Sequence, residues 1–288
     1  MTNVDSDALV STDWLAEHLA APDIRVVDGS YYLPNEGLDA RAEFEAHHIP
    51  GAVFFDIDEI ADTSVDLPHM LPSPEKFSAR VRKLGLGDGV RIIAYDQRGL
   101  FSAARVWWTF RLFGHRDVAV LDGGLVKWLA EGRPVEDGTA RPEERHFTAR
   151  INSLMVRDRG QVQANLESGR EQVVDARSRG RFEGREPEPR PGLRGGHIPG
   201  SLNLPFTELL DRETQTLLPA ERLKARFAAA GVDWNRPVIT SCGSGITAAV
   251  LALGLHVAGH KDVSVYDGSW AEWGDPQSGL PVASGPTG

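Results

Sequence analysis

Short apolar runs rich in β-branched residues alternate along the chain with longer stretches of helical pattern. This alternation favours an α/β fold in which a mainly parallel sheet is flanked by helices on both faces. Ligand sites in such sheets lie beyond the carboxyl ends of the strands, so residues directly after a strand are the first candidates for function. The pattern predicts strands at 24–28, 91–96, 118–122, 171–175, 237–242 and 263–267, and helices at 74–84, 125–132 and 220–230.

The chain carries this pattern twice. Four residues of the first half have a matching residue in the second half, each at nearly the same distance along the chain. Chance does not explain this agreement, so we predict a tandem duplication of one domain. A stretch rich in charge, Pro and Gly at 136–150 indicates the connection. We therefore predict a first copy at 1–138, a linker at 139–155 and a second copy at 156–288. The matching residues are Asp28 with Asp175, His48 with His197, Asp96 with Cys242, and Asp122 with Asp267, which lie 147, 149, 146 and 145 residues apart.

Composition narrows the class of protein. The 288 residues are 41% hydrophobic and 25% charged, as in an ordinary soluble globular protein. The formal net charge of −10 argues against general nucleic-acid binding, which needs a positive surface. No apolar run approaches the roughly 18 residues of a membrane span. The polar, acidic stretch Met1–Asp7 predicts no secretory signal.

The chain has one cysteine, Cys242. A single cysteine excludes an intramolecular disulfide and any zinc site with two or more thiolates. We predict no metal and no organic cofactor. A thiol kept free fits a reducing compartment, so we predict a cytoplasmic protein. Taken without its neighbours, a lone cysteine is more often a small buried side chain than a reactive group.

The residues after Cys242 change that interpretation. The strand ends at Cys242, the loop Gly243-Ser244-Gly245-Ile246-Thr247 follows, and an apolar, helix-favouring run begins at Ala248. Backbone N–H groups of such a loop can converge on the sulfur at the positive end of the helix. A thiol held there is predicted to have a lowered pKa and to act as a nucleophile or a sulfur carrier. The first copy has Asp96 at this position and is predicted to be non-catalytic.

These motifs resemble the rhodanese/sulfurtransferase superfamily over essentially the whole chain. Its usual two-domain form has tandem rhodanese-like domains with an active cysteine only in the second, which implies the same arrangement here. No metal or organic cofactor is implied, because the thiol itself carries the sulfur. The motifs are Val174–Arg177, Gly196–Gly200, Cys242–Ala248 and Tyr266–Trp270, followed by Glu272 and Trp273.

The residue types that follow the cysteine differ between branches of the superfamily. Thiosulfate sulfurtransferases carry basic residues just after the cysteine, whereas Gly243 and Ser244 are neutral. This pattern is similar to the 3-mercaptopyruvate branch of the superfamily. Dual-specificity phosphatases of related fold need an arginine that closes the loop, and Ala248 and Ala249 occupy those places here.

The resemblance implies further site residues. Arg181 and Arg190 are expected to bind the carboxylate and carbonyl of the substrate, which suits the planar guanidinium. Gly243, Gly245, Ile246 and Thr247 are expected to contact the substrate as parts of the loop. Taken alone, two arginines in a polar loop are more often solvated.

The resemblance also implies a relay in which Asp58 orients His69 and His69 addresses Ser244, following the logic of a hydrolase triad. Asp58 and His69 precede residue 138, so the site is expected in the cleft between the two domains. The open alternatives are an ordinary loop histidine at His69 and a helix N-cap at Asp58. His48 and His197 recur within the same turn, which indicates a structural role.

The predicted activity is sulfur transfer from 3-mercaptopyruvate through a Cys242 persulfide, with release of pyruvate. The expected acceptor is a thiol, such as thioredoxin or a small thiol, or cyanide. One alternative is a thiosulfate:cyanide sulfurtransferase. The other is a persulfide carrier or interaction module without turnover.

Overall fold

The computed structural model describes residues 8–140 and 142–286, which form two compact units. The first unit contains the described parts of 1–62, 71–152 and 211–217, and the second contains 63–70, 153–210 and the described part of 218–288. Met1–Asp7, where the sequence predicts no secretory signal, lies outside the described residues, as does Arg141 of the predicted linker.

The first unit is built on a five-stranded parallel sheet with the strand order β1-β5-β4-β2-β3. Its strands are β1 (Leu9–Val10), β2 (Ile24–Asp28), β3 (Val53–Phe54), β4 (Arg91–Tyr95) and β5 (Val118–Leu121). Its helices are α1 (Thr12–His18), α2 (Ala40–Ala46), α3 (Ile57–Ile60), α4 (Pro74–Lys83), α5 (Ala103–Leu112) and α6 (Gly124–Ala130).

The second unit repeats this plan with the strand order β6-β10-β9-β7-β8, again parallel throughout. Its strands are β6 (Val156–Arg157), β7 (Gln172–Asp175), β8 (Leu202–Asn203), β9 (Val238–Ser241) and β10 (Val263–Tyr266). Its helices are α7 (Arg159–Ser168), α8 (Arg179–Phe182), α9 (Ala220–Ala229), α10 (Ala248–Val257) and α11 (Ser269–Trp273), with short 3-10 turns at Ser153–Met155, Phe206–Leu209 and Pro276–Ser278.

The matching strand orders confirm the predicted α/β fold and the duplication. The predicted strands and helices are all present, with ends that shift by no more than two residues. The central strands are buried on both faces, which explains their continuous β-branched runs. Within the described ranges, no helix has the length and apolar character that crossing a membrane requires.

Each unit has a buried tryptophan at the equivalent position of its core. Trp128 in α6 and Trp273 in α11 are fully buried in the cores of their units. The indole N–H of Trp128 donates to the Pro134 carbonyl at 2.7 Å, and that of Trp273 donates to the Pro281 carbonyl at 2.8 Å. A buried indole needs such a partner, and the two units supply it in the same way.

The repeated histidines are packing residues. His48 stacks on Phe44 with ring centroids 4.1 Å apart, and His197 stacks on Phe182 at 3.8 Å. Each ring also lies within hydrogen-bond distance of the backbone carbonyl of its stacking partner, through Nδ1. These contacts hold the turn against the core, as the sequence predicted.

Two segments pack away from their neighbours in sequence. Residues 63–70, which include His69, belong to the second unit, although the predicted boundaries place them in the first domain. Residues 211–217 belong to the first unit, although they lie within the predicted second domain. His69 is thus in the same compact unit as Cys242, a placement that composition and linker patterns do not reveal.

Candidate active site

Cys242 lies directly after the central strand β9 and is 2% exposed. The Gly245 N–H donates to the Cys242 sulfur at 3.1 Å. Gly245 has a φ of 80°, a conformation that glycine adopts without the steric cost of a side chain. The loop therefore curls back so that its own backbone faces the thiol.

The loop is fastened to the N-terminal end of α11. The Cys242 N–H donates to the Ser269 hydroxyl at 3.2 Å, while the Cys242 carbonyl accepts from the Trp270 N–H at 2.9 Å. The Gly243 carbonyl accepts from the Ala271 N–H at 2.8 Å. These bonds fix the position of the sulfur relative to the core of the unit.

Arg181 lies against this loop. A Cβ placed on Gly243 would be 2.9 Å from Nη2 of Arg181, so a side chain at position 243 would displace the guanidinium. Arg181 is in the short helix α8, which begins with the Ser178 hydroxyl accepting from the Arg181 N–H at 3.3 Å. The structure thus brings together a predicted carboxylate-binding residue and the cysteine loop.

Behind Arg181 lies a buried ionic network that the sequence does not reveal. Glu188, whose side chain is 2% exposed, accepts from Arg181 and also from Arg177 at 2.7 Å. Arg177 is fully buried, pairs with Asp175 at 2.7 Å and lies 4.3 Å above the Trp270 ring. Burial acts to lower the pKa of Arg177, but the Asp175 and Glu188 carboxylates outweigh it and the pKa is raised.

Arg190 is joined to His69. Its Nη2 lies 3.1 Å from Nε2 of His69, whose side chain is buried. His69 has a φ of 61°, in the left-handed region that residues other than glycine seldom adopt. Arg190 also lines an open groove of about 680 Å³ whose walls include residues 65–68, 191–193 and 275–277. Arg190 therefore lies at a concave surface of the second unit and contacts the buried His69.

For the remaining predicted site residues, the structure gives the burial and the element to which each belongs. Ser244, Ile246 and Thr247 are buried, and Thr247 is the N-cap residue of α10. Asp58 lies in the first unit, exposed in α3, where the N-cap is Asp56 and not Asp58. The N-cap alternative for Asp58 is therefore wrong, and its part in a relay stays a prediction.

Two stretches of the chain, residues 11–131 and 158–275, match the model of the rhodanese-like domain. Together these stretches cover most of the sequence and contain four of the five strands of each sheet. The chain belongs to the rhodanese family.

Individual rhodanese relatives are similar over nearly the whole chain. Human (Homo sapiens) 3-mercaptopyruvate sulfurtransferase is 46% identical over 272 residues, which cover 92% of this chain and 91% of the human protein. The Arabidopsis thaliana protein named thiosulfate/3-mercaptopyruvate sulfurtransferase 1, mitochondrial, is 44% identical over 302 aligned residues, covering 97% of this chain and 79% of the plant protein. The crystal structure of SseA from Escherichia coli, described among 3-mercaptopyruvate sulfotransferases, has a TM-score of 0.84 at 40% identity and covers 92% of this chain and 99% of SseA. The expected family and fold are confirmed.

The first rhodanese unit has a closed counterpart of the cysteine loop. Asp96 is fully buried and follows the central strand β4, as Cys242 follows β9. One carboxylate oxygen accepts from the N–H groups of Phe101, Ser102 and Ala103 at 2.8–2.9 Å, and the other accepts from the Arg98 N–H at 2.9 Å. The loop of the first unit therefore forms a nest of N–H groups, and the Asp96 side chain fills it.

Each of the helices α4 and α9 is preceded by a short segment that contains one residue with positive φ. His69 lies five residues before Pro74, the first residue of α4, and Gln215 lies five residues before Ala220, the first residue of α9. Gln215 has a φ of 56°, the same unusual conformation as His69. A Cβ added at Gly99 in the Asp96 loop would overlap the Gln215 side chain. His69 and Gln215 are therefore equivalent residues of the duplication.

Sequence reasoning missed Glu188, Arg177 and the equivalence of Gln215. The sequence contains patterns that point weakly to Arg177 and to Gln215. Val-Asp-Ala-Arg places Arg177 two residues after a buried strand end, and Leu-Pro precedes both α4 and α9. Neither pattern predicts which side chains are in contact in the folded protein.

Proposed function

We propose that this protein is a sulfurtransferase that takes sulfur from 3-mercaptopyruvate and carries it as a persulfide on Cys242. The observation that carries the proposal is the neutral loop around the thiol with a guanidinium beside it. Gly243 and Ser244 add no charge next to Cys242, while Arg181 lies against Gly243. The names of the human and bacterial relatives support the same substrate.

The first half-reaction forms the persulfide. The thiolate of Cys242 attacks the sulfur of the substrate, and the carbon–sulfur bond breaks with its electron pair moving to carbon. The enolate of pyruvate then takes a proton at carbon. The substrate hydrogen stays on the outer sulfur, so the products are a Cys242 persulfide and pyruvate. Sulfur itself is the transferred group, and the thiol is its carrier.

Arg181 and Arg190 hold the carboxylate and carbonyl of the substrate in this proposal. Two planar donors can orient a ketoacid so that its sulfur points to Cys242. Gly243, Gly245, Ile246 and Thr247 form the loop that faces the bound sulfur. The Gly245 N–H already lies 3.1 Å from Sγ.

His69 and Ser244 supply the proton to the enolate, and Asp58 orients His69. Support for the position of His69 comes from the first unit, where the equivalent Gln215 packs on the Asp96 loop. The same relation would put His69 over the Cys242 loop, where Ser244 is buried. The catalysis then belongs to residues 156–288 together with His69, and the copy at 1–138 is non-catalytic apart from that segment and Asp58.

The second half-reaction moves the outer sulfur to an acceptor. An acceptor thiolate, such as that of thioredoxin or a small thiol, or cyanide attacks the outer sulfur, and Cys242 leaves as thiolate. A reducing compartment keeps both thiols available, so we propose the cytoplasm. Immunoblotting of cytosolic and membrane-bounded fractions checks this, and enrichment outside the cytosol would contradict it.

Thiosulfate is the competing sulfur donor, since the name of the plant relative includes it. Steady-state kinetics with each donor and one common acceptor test the substrate. We expect kcat/KM for 3-mercaptopyruvate to exceed that for thiosulfate by about 100-fold, because two well-placed guanidinium contacts discriminate by that order. A higher kcat/KM with thiosulfate would overturn the assignment. Absence of turnover with both donors would instead favour a carrier or interaction module.

A further inference from the structure

We propose that Glu188 is a specificity-determining residue, which positions Arg181 and offsets its charge so that the site prefers a ketoacid thiol to the thiosulfate dianion. This inference rests on the proposed function. The Glu188 carboxylate accepts hydrogen bonds from Arg177 and Arg181. It acts through Arg181, and it is therefore a positioning residue.

The geometry ties Glu188 to the orientation of Arg181. One carboxylate oxygen of Glu188 accepts from both Nε and Nη2 of Arg181, at 3.2 and 2.5 Å. That pair of bonds uses the Nε–Nη2 edge of the guanidinium, which leaves the Nη1–Nη2 edge for a ligand. The same Nη2 lies against Gly243 of the cysteine loop.

Glu188 is itself held by the core. Its other oxygen accepts from Nη1 of Arg177 at 2.7 Å, and Arg177 is locked between Asp175 and the Trp270 ring. The Glu188 side chain is 2% exposed, so water does not compete for its oxygens. Arg181 is thus attached to the sheet through a rigid chain of charge-assisted hydrogen bonds.

The charges of this chain cancel. Asp175 and Glu188 are two carboxylates, and Arg177 and Arg181 are two guanidinium groups. Arg181 therefore offers directed hydrogen bonds with little net positive potential. Directed donors favour a planar carboxylate with an adjacent carbonyl, whereas a compact dianion gains most from net charge.

The test is the Glu188→Gln variant, which keeps the size of the side chain but removes its charge. The measured quantity is the ratio of kcat/KM for 3-mercaptopyruvate to kcat/KM for thiosulfate. We expect this ratio to fall about tenfold, the effect of one charge-assisted hydrogen bond. Glu186→Gln is the matched control, because Glu186 is exposed in the same loop and accepts from the Ser178 hydroxyl. Its ratio is expected to stay that of the parent protein.

A double-mutant cycle with Arg181→Gln separates positioning from a general structural effect. In the Arg181→Gln background, Glu188→Gln should leave the ratio unchanged, since the residue through which it acts is gone. A ratio that is unchanged by Glu188→Gln in the parent protein, or that falls equally in both backgrounds, overturns the inference.

The outcomes distinguish this inference from the proposed function. If Arg181→Gln lowers the ratio and Glu188→Gln does not, only the role of Glu188 fails. If Arg181→Gln leaves the kinetics of 3-mercaptopyruvate unchanged, the proposed substrate site fails. Should Glu188→Gln not fold, Glu188→Asp keeps the charge beside Arg177 but shortens the reach to Arg181. Its ratio is expected to fall in the same direction, and an unchanged ratio counts against the inference.

Discussion

The loop after β4 and the loop after β9 occupy the same place in two copies of one fold, yet their chemistry differs. In the first copy, the Asp96 carboxylate accepts from four backbone N–H groups and fills the loop. In the second, the Cys242 thiol stands at the same position, with the Gly245 N–H turned toward its sulfur. The comparison shows that the loop of the first copy is filled by a carboxylate, and in the proposed mechanism the matching loop of the second copy holds the Cys242 thiolate.

A second difference lies under the two loops. Asp175 ends β7 and pairs with the buried Arg177, whereas Asp28 ends β2 and has Ser30 at the equivalent position. Burial raises the pKa of Asp28 from 3.8 to about 6, against the opposing hydrogen bonds from Ser30. The first copy thus keeps the carboxylate but has lost the guanidinium that compensates it in the second.

The largest expected effect on stability is that of Asp96→Ala. Removing the carboxylate leaves three buried N–H groups and one part-buried N–H group without their acceptor, so we expect a loss of about 4 kcal/mol in the free energy of unfolding. Urea denaturation measures it, and sulfur transfer per folded molecule should not change. Asp39→Ala removes an exposed N-cap in the same unit and serves as the control, with an expected loss of about 1 kcal/mol. A loss at Asp96 no greater than at Asp39 would mean that the nest contributes little.

The equivalent residues His69 and Gln215 give the next test. We expect His69→Gln to lower kcat for pyruvate release by about 100-fold, because proton transfer by a placed side chain contributes at least that much. Gln215→His makes the reverse exchange and should leave kcat unchanged, since the Asp96 loop has no nucleophile. Stopped-flow assays of both variants compare the two copies. Equal kcat values for His69→Gln and the parent would remove His69 from the mechanism.

Asp28→Asn should produce a smaller, pH-dependent effect. The folded state binds the Asp28 proton more tightly than the unfolded state, so the contribution to stability is fully present below pH 3.8 and is lost as pH rises through about 6. Asparagine does not titrate. Relative to the parent protein, the variant should therefore gain about 1.4 kcal/mol between pH 5 and pH 8. Urea denaturation at the two pH values checks the gain, and a difference that is constant with pH would contradict the assigned protonation.

Much of this comparison was predictable from the sequence. The β-branched runs and the nearly constant offset predict both sheets, because a parallel strand that is buried on both faces has a continuous run of apolar residues. The same offset pairs Asp96 with Cys242. The glycines after Cys242 predict a turn around the sulfur, and the φ of Gly245 agrees with that prediction.

The missed features depend on tertiary packing. Nothing in Glu-Pro-Glu-Pro-Arg tells the buried Glu188 from the exposed Glu186, because both are acidic residues beside proline. The sequence also did not predict that His69 belongs to the second unit, because a boundary drawn along the sequence assumes that neighbours in the chain pack together. The proximity of Arg190 and His69, 121 residues apart, could not follow from spacing.

The central claim is that Cys242 carries the transferred sulfur. Intact-protein mass spectrometry after exposure to 3-mercaptopyruvate, with pyruvate measured in the same sample, tests it most directly. We expect the protein to gain the mass of one sulfur atom, localised to the peptide that contains Cys242, with one pyruvate released per protein. Cys242→Ser should gain no sulfur and release no pyruvate. Full pyruvate release by Cys242→Ser, or a sulfur located on another peptide, would contradict the account.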